Sequence, residues 1–163
     1  MLVIPEVGKV LSLDGIYLRL LKDILMPSAV GYERVYILSK GSGRYILGHR
    51  FDRVEAPAVF YVKKAELFGF MCEGEAEIYE IAFGGESLQD GETIDLRSIE
   101  HGRRHPLVME RFSKTAKGEA FFIINDHDPL PLYFQMSMAF PKKVGWEYVA
   151  YEGSYWKIKI RRL

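Results

Sequence analysis

Amides are scarce in this chain of 163 residues: Asn125 is its single Asn, and Gln89 and Gln135 are its two Gln. Few thermolabile amides beside abundant Lys, Arg and Glu point to a thermophilic source, and they single out Asn125 as a residue kept against the trend. Cysteine is scarcer still. Cys72 stands alone, which excludes an intramolecular disulfide and a cysteine zinc site and fits a cytoplasmic location. Net charge is absent: 22 Lys and Arg balance 22 Asp and Glu, with a sequence pI near 6.9. Nucleic-acid-binding proteins carry a basic excess to neutralise phosphates, so that class is not expected. Long apolar runs are missing too. The longest, Phe121 to Ile124 and Val59 to Val62, fall far short of the roughly 20 residues that cross a bilayer. The stretch from Met1 to Glu6 has no basic segment leading into an apolar one, so no secretion leader is expected. At 48% hydrophobic and 27% charged, what remains is an ordinary globular chain.

The pattern changes near Phe83 to Gly91, a polar, Gly-rich stretch between apolar segments, which has the composition of a linker. Two domains are therefore expected, residues 1–85 and 91–163. In the first, strand-like runs occur at Tyr17 to Leu21, Arg34 to Ser39, Arg44 to Gly48, Ala58 to Val62, Ala65 to Met71 and Ala76 to Phe83. Gly41-Ser42-Gly43 predicts a tight turn joining the second and third of these as a hairpin, because Gly reaches positive φ without steric cost. Many short strands at close spacing mean a sandwich or a barrel. The run Glu33 to Gly43, followed by Val54 to Pro57 and an aromatic strand, resembles the small cupin barrel that forms the sensor half of AraC-type regulators. No helix-turn-helix pair follows it, so the DNA-binding half of that resemblance is not expected here.

In the second domain strands and helices alternate. Thr93 to Arg97 reads as a strand, Pro106 to Ala116 as a helix and Glu119 to Ile124 as a buried strand. Asp128 reads as the N-cap of a second helix with Pro129 at its first position. That helix carries Leu132, Phe134, Met136 and Met138, and Trp146 to Tyr151 pairs with Tyr155 to Arg162 as a closing hairpin. The order βαβαββ is that of a two-layer α/β sandwich. Three stretches stand in sequence here: Arg104-His105-Pro106 with Glu110-Arg111-Phe112, Asn125 to Pro129 with Pro131, Leu132 and Gln135, and Trp146-Glu147-Tyr148 with Trp156 and Arg161-Arg162. Together they resemble the uncharacterised family known as domain of unknown function 2249, over roughly residues 93–162. The resemblance implies a TusA-like α/β fold, shared with the TusA/SirA sulfur carriers, and company with hemerythrin-like domains in redox or nitrogen-oxide settings. It implies no reaction.

If the first two strands of this domain are parallel neighbours, the loops that follow them open on one carboxyl edge of the sheet, where open α/β sheets bind ligands. Those loops carry Arg97, His101, Arg103, Arg104 and His105 on one side, and Asn125, Asp126, His127 and Asp128 on the other. Three of the four His residues in the chain converge there, with two helix N-termini that offer free N–H groups to an anion. The candidate ligand-binding set is Arg104, His105, Asn125, Asp126, His127 and Asp128. Two occupants stay open: a small molecule or anion held by Arg104 and the helix ends, or a single iron or zinc ion held by His105, His127 and Asp126. A purely structural role is the third reading, with His105 bonded to Asp126 and pinning one loop to the other. Sulfur transfer is rejected, because the loop Ser98 to His105 holds no Cys to carry a persulfide. Metal-binding cupins supply several His, whereas this barrel has only His49. Tyr36, Tyr45 and Tyr61 are expected to line or fill the barrel.

The sequence thus predicts a ligand-binding or regulatory protein, a cupin-like sensor barrel fused to a TusA-like domain with a His/Asp/Arg site. The alternative is a small metal-dependent redox enzyme using His105 and His127. No nucleic-acid or membrane partner is expected, and a homodimer through the barrel is.

Overall fold

A computed structural model describes residues 10–13, 15–22, 24–84 and 91–163, and the chain falls into two compact units, Met1–Glu86 and Ser87–Leu163. Among the described residues of the N-terminal unit there are nine strands: β1 (Val10–Leu13), β2 (Ile16–Lys22), β3 (Ile24–Ser28), β4 (Glu33–Lys40), β5 (Ser42–Leu47), β6 (Arg50–Glu55), β7 (Ala58–Val62), β8 (Phe68–Cys72) and β9 (Glu77–Phe83). They form two antiparallel sheets, one in the order β1-β2-β9-β4-β7 and the other β3-β8-β5-β6. Strands β4, β7 and β9 give Tyr36, Leu38, Val62 and Ile78 to the core, and β8 gives Phe68 and Phe70. The two sheets therefore face each other through alternating side chains, as period-two strands require. Tyr36 stacks on Phe68 at 4.3 Å between ring centroids.

The hairpin expected at Gly41 to Gly43 does not form. β4 pairs with β7 and β9, whereas β5 pairs with β6 and β8. Gly41 is instead the corner where the chain leaves one sheet for the other. Its φ is +85°, and a Cβ there would stand 2.2 Å from the Glu75 carbonyl oxygen, so backbone packing as well as conformation excludes any other residue. The hairpin lies one strand later, between β5 and β6. Strands β1, β3 and β6 are absent from the sequence reading; β6, Arg-Phe-Asp-Arg-Val-Glu, carries charge on both faces and gives no apolar alternation. Tyr36 is fully buried and Tyr45 packs against the same core, but Tyr61 is half exposed and points away from it.

A polar chain crosses this interior. Arg34, 2% exposed, donates to Ser28 Oγ (2.6 Å), Tyr36 OH (3.1 Å) and the carbonyls of Ser28 and Glu66. Tyr36 OH donates to Glu80 Oε2 at 2.5 Å, and Glu80 accepts from Arg19 at 2.9 Å. Burial holds the Tyr36 hydroxyl far above its ordinary pKa, so it serves as a neutral donor at any physiological pH.

The C-terminal unit contains β10 (Thr93–Asp95), α1 (His101–Ser113), β11 (Ala120–Asn125), α2 (Leu130–Ala139), β12 (Val144–Glu152) and β13 (Tyr155–Arg162). The order is βαβαββ, and the sheet runs β10-β11-β13-β12, with β10 and β11 parallel and the remaining pairs antiparallel. One face of the sheet presents Phe121, Ile123, Ile158, Ile160 and Trp146, all fully buried together with Val108, Phe112, Leu132 and Met136 of the helices. Helix α1 starts at His101, five residues before the expected Pro106. Pro106 lies inside it, and the loop after β10 shrinks to residues 96–100. No helix among the described residues is long and apolar enough to cross a membrane.

Candidate functional site

The early start of α1 decides how the site is built. His101, Arg104, His105, Val108 and Phe112 follow i, i+3, i+4, i+7 spacing and so share one helix face. Val108 and Phe112 anchor that face in the core, and the same stripe carries Arg104 and His105 to the carboxyl edge of β10 and β11. Arg104, His105 and Arg103 are therefore helix residues rather than loop residues.

Arg104 is 5% exposed and nearly saturated. Its Nε donates to the Ile99 carbonyl (2.8 Å), its Nη1 to Asn125 Oδ1 (3.1 Å) and Asp126 Oδ1 (2.9 Å), and its Nη2 to the Arg97 carbonyl (3.4 Å). Four of the five guanidinium N–H groups are spent on tying the two loops together. An anion held mainly by Arg104 is thus not what the structure offers. Asn125, 4% exposed, accepts from Arg104 and donates to the His127 carbonyl at 3.0 Å. Asp126 also meets His127 Nδ1 at 2.5 Å. The Arg104 guanidinium first, and His127 second, hold the Asp126 carboxyl well below the usual carboxylate range. The bond expected from His105 to Asp126 is absent: His105 Nδ1 lies 2.8 Å from Gln135 Oε1 on α2.

The expected N-cap, Asp128, stands one position before the observed one, Pro129, though its side chain still meets the helix end. Helices fray by a residue or two at their ends; here α2 starts at Leu130, and Asp128 Oδ1 accepts that residue's N–H at 3.0 Å. The same oxygen accepts Tyr148 OH at 2.6 Å, and burial together with this carboxylate drives the Tyr148 hydroxyl pKa far upward. Of the next amides, Pro131 has none, and Leu132 and Tyr133 both bond the Pro129 carbonyl. The N-terminus of α2 is closed to an anion. That of α1 has no side-chain cap: Glu100 makes no such bond, and only its carbonyl accepts the Arg103 N–H.

His101, His105 and His127 surround one hollow of about 40 Å³, closed by Leu96, Arg104, Asn125, Pro129 and Leu132. The expected convergence of His105 and His127 is therefore present. The His101 and His127 rings lie nearly parallel with centroids 5.9 Å apart. No acidic side chain lines the hollow. Asp126 is turned to Arg104 and His127, and Asp128 to α2. Among the described residues no three His, Cys, Asp or Glu side chains gather as a metal group, so the set His105, His127 and Asp126 is not assembled for iron or zinc. A larger groove, about 530 Å³, lies on the opposite side of α1 beside Ser98, Glu100, Arg103 and Glu110; it holds carboxylates and none of the imidazoles. Two partners escaped the sequence reading of the site, Gln135 and Tyr148. Gln135 had a visible signal as one of two Gln in an amide-poor chain.

Residues 93–162 match a family model of uncharacterized conserved proteins, DUF2249. His101, His105 and His127 all lie inside the matched residues. No curated protein matches the chain. Solved structures align with the N-terminal half instead. A cupin-2 domain containing protein from Shewanella frigidimarina is 13% identical, with 48% of this chain and 82% of that one covered and a TM-score of 0.39. A cupin protein from Bacteroides fragilis is 12% identical, covering 55% and 86% with a TM-score of 0.42. A Klebsiella pneumoniae protein with a double-stranded beta-helix domain is 14% identical, covering 51% and 84% with a TM-score of 0.43. The molecule pairs a β-rich unit with a separate α/β unit.

Proposed function

We propose that the chain is a ligand-binding, regulatory protein whose DUF2249 unit takes a small oxyanion at the hollow between α1 and α2, with the cupin-like unit as its sensor partner. One observation carries this reading: three imidazoles rim a hollow with no carboxylate in its lining. Two of them donate Nδ1–H to Asp126 and Gln135, which leaves Nε2 as the nitrogen that donates to an oxyanion when the ring carries its second proton. The N-terminus of α1, which no side chain caps, adds a positive dipole end at the same edge. About 40 Å³ accommodates one oxygen atom of an anion, close to the share of one water molecule in the liquid, with the rest of the ligand outside. The βαβαββ order with a parallel first pair supports a TusA-like topology for this unit. Carrier chemistry does not follow from it, since residues 96–100 include no Cys and Cys72 sits half-buried in the other unit.

A metal-dependent redox enzyme is the competing reading. Imidazoles fixed at one nitrogen by an oxygen acceptor resemble metal ligands with their outer partners, but a third ligand is not gathered among the described residues. Imidazole-detected ¹⁵N NMR with added inorganic phosphate or nitrate tests the proposal. His101, His105 and His127 are expected to shift and saturate while His49, in the other unit, stays fixed. His127→Ala should weaken binding at least tenfold. Unmoved resonances of the three imidazoles, or stoichiometric iron or zinc in protein purified without a tag, would overturn it.

A further inference from the structure

The surface beside the imidazole hollow decides what kind of molecule could carry an oxyanion into it. Along β12 the helix-side face of the sheet continues past Trp146 with Tyr148 and then Tyr151. Residues three apart on a strand ordinarily point to opposite faces. Here a bulge intervenes: Tyr148 pairs with Ile158 and Ala150 with Lys157, so Val149 is the extra residue. The bulge returns Tyr151 to the face of Tyr148, opposite Trp156. Three aromatic rings then meet. The Trp156 ring lies 6.1 Å from Tyr148 and 5.8 Å from Tyr151, inclined only 26° to the latter, and Tyr148 stands perpendicular to Tyr151 at 6.4 Å. Trp146 is fully buried against Tyr133 of α2, whereas Tyr151 is 48% exposed.

This shelf adjoins the hollow. Asn125, which lines the hollow, is the cross-strand partner of Trp156, and such partners hold their Cβ atoms about 5 Å apart on one face. Asp128, between the hollow's His127 and Pro129, accepts the Tyr148 hydroxyl, and the Gly153 carbonyl accepts Trp156 Nε1–H at 3.0 Å. With those polar groups engaged, Tyr148 and Trp156 offer ring surface. The rings touch one another, which leaves no gap to enclose an organic cation; they present a flat outer surface instead. Small-molecule sites combine apolar, aromatic walls of this kind with a few placed polar groups. Building on the oxyanion proposed for the hollow, we infer that Tyr148, Tyr151 and Trp156 complete the same site and that its ligand is an aromatic carboxylate. The carboxylate meets the imidazoles and the ring lies on the shelf. A carboxylate joined to a ring directly, or through one carbon, matches the step from Asn125 to Trp156. A bare inorganic anion does not reach the shelf, and an aromatic amine brings the wrong charge to protonated imidazoles.

Benzoate, acetate and benzylamine separate the parts, followed through the imidazole ¹⁵N resonances and the indole N–H signals of the two tryptophans, Trp146 and Trp156. Benzoate should bind roughly tenfold more tightly than acetate. It should move both His127 and the Trp156 indole, while the buried Trp146 stays fixed. Acetate should move the imidazoles alone, and benzylamine neither. Tyr151→Ala, at a half-exposed position, should lower the benzoate-to-acetate affinity ratio about fivefold. Tyr155→Ala, next to Trp156 and so on the opposite face of β13, should leave the ratio unchanged. Acetate that moves the imidazoles, with benzoate bound no more tightly, would overturn the shelf and leave the oxyanion reading standing. Imidazoles unmoved by either anion would remove that reading and the inference with it. Benzylamine bound as tightly as benzoate, or benzoate that moves Trp156 without His127, would also overturn the inference, since the ring alone would then decide binding.

Discussion

Asp128 and His127 are neighbours with opposite duties. Asp128 serves the α2 terminus and the Tyr148 hydroxyl through one oxygen, whereas His127, with its side chain 56% exposed, supports only its own loop. Asp128→Ala should therefore cost about 1–3 kcal/mol, from a lost helix-end acceptor and a Tyr148 hydroxyl left unpaired, and lower the melting temperature by several degrees. His127→Ala should leave melting nearly unchanged while abolishing the oxyanion response. A His127 variant less stable than the Asp128 variant would make the imidazole structural. Arg104→Ala should be the most damaging change at the site, about 3 kcal/mol, because it strands a buried partner, Asn125, and releases Asp126. Acid sensitivity follows from Asp126. Its carboxyl is depressed in the folded unit, so the stabilisation it brings is present above the unfolded carboxylate pKa of about 3.9 and lost as pH falls below that. Melting of the wild type between pH 5 and pH 2 should fall more steeply than that of Asp126→Asn, which has no charge to lose. The roles of Asn125 and Asp128 were legible in the sequence, because a strand end and a proline-led helix start confine what those side chains can do. Arg104 was not, since nothing local distinguishes a saturated arginine from a waiting one.

At the scale of elements, α1 departs furthest from its sequence signals. Its first six residues include Gly102 and Pro106, both poor helix formers, so a reading based on propensity starts the helix late. Tertiary packing of Arg104, Val108 and Phe112 overrides that preference. Pro106 supplies no N–H to the Gly102 carbonyl one turn back, and a Cβ on Gly102 would meet nothing within 4 Å. Gly102→Ala should therefore stabilise the unit by up to about 1 kcal/mol and Pro106→Ala by about 1–3 kcal/mol in chemical denaturation. Destabilisation by both would show that the turn needs its present backbone. Gly41 teaches the converse lesson. Its sequence signalled positive φ correctly, yet a turn residue does not say whether the next strand stays in the sheet or crosses to the facing one; the backbone of Glu75 and Ala76 pressed against it decides that.

For the whole molecule, the division into a β-rich and an α/β unit was readable from the change in periodicity beyond Phe83, because period-two and period-3.6 patterns bury different faces. The closing hairpin of β12 and β13 was readable too, but which strands pair in the β-rich unit was not, since registers between distant strands leave no local trace. Two units with their own cores are expected to show two calorimetric transitions. Tyr36→Phe, which breaks the link between Arg34 and Glu80, should lower only one of them, and Asp128→Ala only the other. A single transition shifted by both variants would mean that the units unfold as one.

The fastening of Asn125 also bears on how the protein ages. Deamidation begins when the backbone nitrogen of the following residue attacks the side-chain carbonyl carbon, which needs a freely turning amide. Here both ends of that amide are held, the oxygen by Arg104 and the nitrogen by the His127 carbonyl. The sole asparagine of the chain is thereby removed from the most common route of spontaneous covalent decay. Weeks of warm storage should leave the intact mass unaltered at this position, and the Arg104→Ala protein should gain the one-dalton mark of a new aspartate.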